Sequence, residues 1–220
     1  MSSQTQQLEN PAPPTLGYPT EAYERRHFNE NNGSLNIYFK KLSSVFGSLF
    51  GPRGGRFMNA PYGAFQDSTD QTAANTTTAY AVTFNTTDFS NGVTLASGSR
   101  LTVADAGIWN LQFSIQLKNT TNDGQDVDIW FRKNGTNIDN SNSRFHLSTR
   151  KSAGDPSHLI ASLNFFVSLA ANDYVEIMWR PTNVGVSIEH FATSSSPTRP
   201  AVPSVIATLS FVSNLSTETA

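Results

Sequence analysis

The 220-residue sequence predicts a mainly β fold: a C-terminal antiparallel jelly-roll sandwich preceded by an extended arm and a short, coiled-coil-like α-helix. Three observations support this prediction. Apolar and polar residues alternate in many short segments, which is the pattern of strands with one buried face. Turn sequences rich in Asn, Asp and Gly separate these segments. In one earlier segment, apolar residues recur at heptad spacing.

Residues 1–19 predict an extended arm. The segment is polar at first and then rich in proline, with Pro11, Pro13, Pro14 and Pro19. Because proline lacks a backbone N–H and fixes φ, such a segment cannot complete a helix or a strand ladder. Arms of this kind often become ordered only against a partner.

Residues 20–50 predict a helix for oligomerisation or attachment, with Thr20 suited to the N-cap position. Apolar residues follow a spacing of four and three, extended back by one heptad; they are Phe28, Leu35, Phe39, Leu42, Phe46 and Leu49. This is the seam through which helices pack around one another. The pattern also fits a single amphipathic helix lying on its own domain or on a neighbouring protein. Asn31-Asn32-Gly33 is a candidate interruption.

Residues 51–61 predict a Gly/Pro linker. Arg53 and Arg56 lie in it, but the segment lacks the spacing and the Lys-Ser/Thr ending of a phosphate-binding loop. Contact with nucleic acid or an acidic surface is one interpretation, and a flexible hinge is the favoured one. The net charge of −2 also argues against a dedicated nucleic-acid binder.

Residues 62–220 read as one short strand after another. The clearest alternation runs from Trp109 to Leu117. The stretch 126–138 contains a strand followed by Asn134-Gly135, the pair best suited to a two-residue hairpin turn. No helical pattern lies between the strands, which favours an antiparallel sandwich or jelly roll.

Some strand residues are apolar on the polar side of the alternation; they are Trp130, Ile160, Phe166 and Met178. A strand that is apolar on both faces lies under a second layer, under loops of its own domain, or against another subunit. Trp109 and Trp179 are in phase with the core, so we predict that they are buried. Trp130 is predicted to pack at an interface.

No pattern of catalytic residues stands out. The absence of cysteine excludes disulfides, zinc–thiolate sites and thiol nucleophiles. His146 and His158 lie in a segment expected to be loop-rich, without a Gly-x-Ser-x-Gly elbow. The carboxylates between Asp123 and Asp128 suit calcium by type but not by EF-hand spacing, and a solvated strand edge is the simpler interpretation. We therefore predict no enzymatic activity, no cofactor and no metal.

The first ten residues are polar, so we expect neither a signal peptide nor membrane insertion. We expect the chain to be synthesised in a cytoplasm.

Several segments of the chain resemble a module found in structural proteins of tailed bacteriophages; they are 126–135, 140–144, 158–164, 172–180, 196–200 and 203–212. The strands 107–113 and 208–211 are similar to the complement C1q and tumour-necrosis-factor jelly roll. Residues 17–42 resemble the leader segments that precede such modules.

This resemblance implies a homotrimer, because members of the C1q and tumour-necrosis-factor class are trimers. Trimer contacts are then expected along the helix seam and at Trp130. The resemblance further implies a virion protein, assembled in the host cytoplasm as a fibre or spike. Residues 1–50 would dock on capsid, portal or tail proteins, and the jelly-roll head would face outward for host attachment. A capsid decoration or cement protein, and a lectin-like module that binds a host-surface glycan, remain open alternatives.

Overall fold

A computed structural model describes residues 11–18, 22, 24–50 and 60–214. The chain divides into two compact units, Met1–Asn59 and Ala60–Ala220. The predicted cap Thr20 and linker residues 51–59 lie outside the described residues. The elements in chain order are α1 (Arg25–Phe50), β1 (Tyr62–Asp67), β2 (Gln71–Thr72), β3 (Tyr80–Ala81), β4 (Thr86–Asn91), β5 (Val93–Ala96), β6 (Arg100–Val103), β7 (Gly107–Asn119), β8 (Gln125–Lys133), β9 (Thr136–Asn137), β10 (Ser143–Leu147), β11 (Ser157–Leu169), β12 (Tyr174–Pro181), β13 (Val186–Ile188), β14 (Ser194–Ser195), β15 (Thr198–Arg199) and β16 (Val205–Ser213).

Helix α1 is continuous over 26 residues, a length of about 39 Å at 1.5 Å per residue. It runs unbroken through Asn31-Asn32-Gly33, so the candidate interruption is wrong. A glycine inside a helix costs about 1 kcal/mol relative to alanine, but adding residues to an existing helix is far easier than starting one. Asn31 is also held by the arm, because its Oδ1 accepts the N–H of Gly17 at 3.2 Å.

The seam residues of α1 form one apolar stripe, which spans an arc of about 80° at 3.6 residues per turn. Leu35, Leu42 and Leu49 are half-buried. Phe39 is 58% exposed, and Phe28 and Phe46 are exposed to a similar degree. The stripe therefore offers apolar surface that the described part of the chain leaves open to solvent. No helix among the described residues combines the length and apolarity that a bilayer crossing requires.

The second unit contains two seven-stranded antiparallel sheets and the small two-stranded sheet β14-β15, which confirms the mainly β, antiparallel prediction. In the first sheet, called sheet A, the strand order is β2-β13-β7-β16-β1-β4, with β11 paired to β7. In the second, called sheet B, the order is β10-β8-β12-β6-β5, with β3 on β12 and β9 on β8. The inner faces of both sheets contribute to one hydrophobic cluster, as expected of a β-sandwich.

Aromatic side chains join the two sheets at the centre of this cluster. Phe131 of β8 is fully buried and stacks on Phe165 of β11, with ring centroids 4.6 Å apart. It also meets Phe113 of β7 edge to face at 6.0 Å. Trp109 is 0% exposed and Trp179 is 1% exposed, so both predictions of core tryptophans are confirmed.

The outer faces of the two sheets differ in charge. The central strands of sheet A contain no charged residue over 108–116, 160–168 and 206–212. Apolar side chains lie exposed among neutral polar ones on that face, including Ile160 at 60% and Phe166 at 56%. The outer face of sheet B instead carries several ion pairs. The centre of the outer face of sheet A is therefore neutral, with Lys118, His158 and Glu189 at one end, whereas the outer face of sheet B is charged.

The predicted hairpin turn at Asn134-Gly135 is confirmed. Both residues have positive φ, 47° and 82°, as a two-residue type I′ turn requires. Glycine has no Cβ and reaches such angles without strain, and asparagine tolerates them better than most residues. The turn sets Asn137 of β9 opposite Arg132 of β8.

One expectation about the loops is wrong. His146 and His158 lie on β10 and β11 rather than in loops. Strand β10 has few apolar residues and follows a stretch of Asn and Ser, so its sequence resembles a turn. It forms because Ser143–Leu147 pairs in register with Gln125–Ile129 of β8, and backbone hydrogen bonds to an existing strand can override weak local propensity.

Candidate functional site

Three neighbouring strands bring charged residues together on the outer face of sheet B. The antiparallel register sets Arg144 of β10 and Arg180 of β12 on either side of Asp128 of β8. Arg144 forms a bidentate pair with Asp128, with Nε–Oδ1 at 2.8 Å and Nη2–Oδ2 at 3.2 Å. Arg180 Nη2 lies 3.4 Å from the same Oδ2. Two guanidinium groups thus share one carboxylate, a preorganised cluster in which positive charge exceeds negative charge by one.

These contacts change the acidity of Asp128. Hydrogen bonding from Arg144 lowers the pKa of Asp128 below its usual value, and the positive charges of Arg144 and Arg180 act in the same direction. Burial of the carboxylate acts the opposite way but is outweighed. The ionised form is therefore the one that the folded protein favours.

We expect the Asp128→Asn variant to lose part of the acid sensitivity of the protein. A carboxylate with a lowered folded pKa stabilises the fold above its unfolded pKa, about 3.9, and loses that contribution as pH falls through the folded pKa. Below about pH 4, this group should contribute a slope of up to about 1.4 kcal/mol per pH unit to the free energy of unfolding. Urea denaturation at a series of pH values would measure it. Equal slopes in both proteins would contradict the assignment.

An open pocket of about 350 Å³ borders this ion-paired row. It lies between the strands and the loop that follows β9, and it is lined by Asp128, Trp130, Asn137, Ile138, Asp139, Asn140, Asn142 and Arg180. Its size falls in the range of small-molecule sites, about 300–1,000 Å³. One aromatic ring, several amides, two carboxylates and one guanidinium meet here.

The indole ring of Trp130 has a fixed place in this pocket. Its Nε1–H donates a hydrogen bond to Asn137 Oδ1 at 2.9 Å, and Arg132 Nε donates to the same oxygen at 3.2 Å. Its cross-strand neighbour Met178 is only 1% exposed. The off-phase Met178 is therefore covered within its own protomer, whereas Trp130 is half-buried and reaches the pocket.

A buried serine holds the loop that forms the pocket rim. Ser141 is 4% exposed, and its Oγ accepts the N–H of Phe131 at 3.1 Å and donates to the carbonyl of Ile138 at 2.7 Å. Asn140 takes a positive φ of 59° in the same loop. Asp139 and Asn140 are thereby displayed at the surface, with no side-chain hydrogen bond to the described part of the chain.

The seven residues predicted to make trimer contacts fall in different units. The six seam residues lie on the exposed stripe of α1, and Trp130 lies in the pocket on sheet B. Subunit contacts at these positions stay predictions. Two of the carboxylates considered for calcium face nitrogen-bearing side chains: Asp128 pairs with Arg144, and Asp126 Oδ1 lies 2.8 Å from His146 Nδ1.

The two strand histidines, His146 and His158, lie beside carboxylates. His158 Nε2 lies 2.8 Å from Glu189 Oε2, and Lys118 pairs with the other oxygen of that carboxylate. Within the described ranges, no group of three or more His, Cys, Asp or Glu residues is placed to hold a metal ion.

Sequence reasoning found Trp130 but missed the rest of the pocket. Asn137, Asp139, Asn140 and Asn142 belong to stretches that read as an ordinary polar turn. Arg180 lies fifty positions further along the chain, and only the β8–β12 register brings it beside Asp128. The local sequence indicated this site only through Trp130, which breaks the alternation of strand β8 shortly before the hairpin turn. An aromatic ring at that position lies close to the residues that follow the turn.

Sequence comparisons find no counterpart to these features. Neither a scan of known protein families nor a search of curated proteins gives a match to this chain. The apolar stripe of α1 and the pocket on sheet B are therefore the observations on which a functional proposal rests.

Proposed function

We propose that this chain is a non-enzymatic virion protein of a tailed phage, built as a homotrimeric fibre or spike. Residues 1–50 dock on a capsid, portal or tail protein and trimerise through a short coiled coil. The sandwich is a jelly-roll head that makes the host contact. The observation that carries this proposal is the apolar stripe on α1, because a helix with an open apolar face is stabilised by packing against other helices.

The stripe has the geometry that trimerisation needs. Leu35, Phe39 and Leu42 follow a spacing of four and three on one side of the helix, and the opposite side carries mostly polar and charged side chains with Ile37 exposed among them. An isolated helix is marginal in water. Burying apolar surface contributes about 25 cal/mol per Å², and three copies with facing stripes bury all three at once.

Trimerisation also fits an attachment role. Three heads held by one stalk bind a repetitive surface with an avidity far above the affinity of a single head. The two-layer β-sandwich supplies a rigid platform for such a head, since its core is closed by Phe131 and its partners across the sheets. Attachment by geometry and avidity requires no reactive side chain.

The mass of the purified full chain tests this proposal. Light scattering is expected to give three times the 24.0 kDa of one chain, and labelled antibodies should find few copies per particle, at one vertex, by electron microscopy. A monomeric mass at a micromolar concentration of the chain would overturn the proposed trimer. Antibody labelling of host cells but not of particles would overturn the proposed location in the virion.

The neutral outer face of sheet A supports a second candidate, a capsid decoration or cement protein. A surface of Asn, Gln, Ser and Thr with scattered apolar groups such as Ile160 and Phe166 is suited to lying on a shell subunit without desolvating charge. Copy number separates the two roles. Decoration requires many copies over the shell, whereas a fibre requires few.

A further inference from the structure

The pocket on sheet B combines the groups that recognise a neutral, hydroxyl-rich ligand. The Trp130 ring offers an apolar surface, and the amides of Asn137 and Asn140 and the carboxylate of Asp139 offer donors and acceptors around it. Apart from Trp130 and Ile138 the lining is polar, which is more polar than most small-molecule sites and suits a ligand with many hydroxyl groups. We propose that this pocket binds a neutral saccharide, with Trp130 stacking on one face of a sugar ring and the rim residues bonding its hydroxyls.

The charges of the pocket argue for a neutral ligand. Arg144 is held by two hydrogen bonds to Asp128 and Arg180 lies against the same carboxylate, so these three groups together with Asp139 carry no net charge. Asp139 is the one lining carboxylate without an ion pair among the described residues. A lone ionised carboxylate accepts two hydrogen bonds from adjacent hydroxyl groups well, but it repels carboxylate or phosphate ligands.

The polar groups that remain available match sugar hydroxyls. Asn137 uses its Oδ1 for Trp130 and Arg132, which leaves its Nδ2 amino group as a donor. The amide of Asn140 supplies one donor group and one acceptor, and Asp139 supplies acceptors. A hydroxyl group both donates and accepts, so a ring with several hydroxyls can satisfy this mixed set.

The site is also preorganised. The bond from Trp130 to Asn137 fixes the indole ring, the type I′ turn fixes Asn137, and Ser141 fixes the rim loop. Little ordering entropy is then lost on binding, which raises affinity for a given set of contacts. The inference deepens the proposed attachment role by naming the chemistry of the host surface, since saccharides coat most cell surfaces.

An array of neutral glycans with terminal glucose, galactose, mannose or N-acetylglucosamine, probed with the full chain, tests this inference. We expect retention of at least one neutral class, unaffected by a chelator. In titrations with the corresponding free oligosaccharide, Trp130→Ala and Asp139→Asn should each weaken binding at least about tenfold. Phe166→Ala, an exposed aromatic on sheet A, should bind like the wild type and serves as the matched control.

Several outcomes would overturn the saccharide site. These are no retention of any neutral glycan, retention of acidic glycans alone, loss of binding with a chelator, or unchanged binding in both pocket variants. Asp139 is exposed, so its near-isosteric change keeps the test valid even if Trp130→Ala folds poorly. If Trp130→Ala lowers the mass of the assembly, Trp130 is a subunit contact and the site is wrong. A trimeric mass without glycan binding would refute the saccharide site alone and leave the attachment proposal standing.

Discussion

The Leu42→Asp variant should not form the proposed trimer and should give the 24.0 kDa mass of a single chain. Leu42 lies at the centre of the α1 stripe, between Phe39 and Phe46. In a three-helix assembly, each of the three chains would bury its own Leu42 side chain. An unpaired carboxylate in such a place costs several kcal/mol of desolvation free energy. Three such penalties exceed what the remaining seam contacts can offset, so light scattering should report a monomer.

Two further variants make this result specific. Asn36→Asp adds a carboxylate at an exposed position outside the apolar stripe of α1 and should leave the mass trimeric. Leu42→Met keeps an apolar side chain of similar volume and should also stay trimeric. A trimeric Leu42→Asp protein would mean that the subunits meet elsewhere, and a monomeric Asn36→Asp protein would mean that charge alone disrupts assembly.

The Phe131→Ala variant should lower the free energy of unfolding by about 3–5 kcal/mol, the usual cost of removing a buried aromatic ring. Phe131 is fully buried, and it touches Phe165 and Phe113 of the opposite sheet. Its removal leaves a cavity where aromatic rings of the two sheets meet. Since whole domains are stable by only about 5–15 kcal/mol, the loss should be plain in urea denaturation at a fixed chain concentration.

A matched control lies on the same sandwich. Phe166 follows Phe165 on β11 but points to the outer face of sheet A, where it is 56% exposed. Phe166→Ala should therefore change the free energy of unfolding by only about 0.5 kcal/mol or less. A loss below about 1 kcal/mol for Phe131→Ala would show that the core repacks around the gap. It would contradict the bridging role assigned to Phe131.

The sequence could reveal the strands in which apolar and polar residues alternate strictly. Strand β7 alternates without exception from Trp109 to Leu117, so its phase and burial followed directly. Strand β4 could not be found this way, because most of its residues are exposed and it has no apolar face to read. Strand β10 was hidden for a related reason, since pairing with β8 rather than its own composition makes it a strand.

The pocket shows why functional residues are harder to predict than core residues. Trp130 could be found because it breaks a local pattern, but its partners are defined by register. Arg180 reaches Asp128 through the pairing of β8 with β12, and Arg144 reaches it through β10. Register depends on the burial of whole strands, and a single sequence gives the register only where a tight turn such as Asn134-Gly135 fixes it.

The neutral outer face of sheet A has a consequence for how the protein responds to salt. Mobile ions screen exposed charges within about 10 Å at 0.1 M and about 3 Å at 1 M. The strand segments 108–116, 160–168 and 206–212 have no charge to screen. A contact confined to these segments should therefore depend little on the salt concentration. The same sandwich can thus adhere by shape and desolvation alone on one side, while its other side keeps the ion pairs of Asp128.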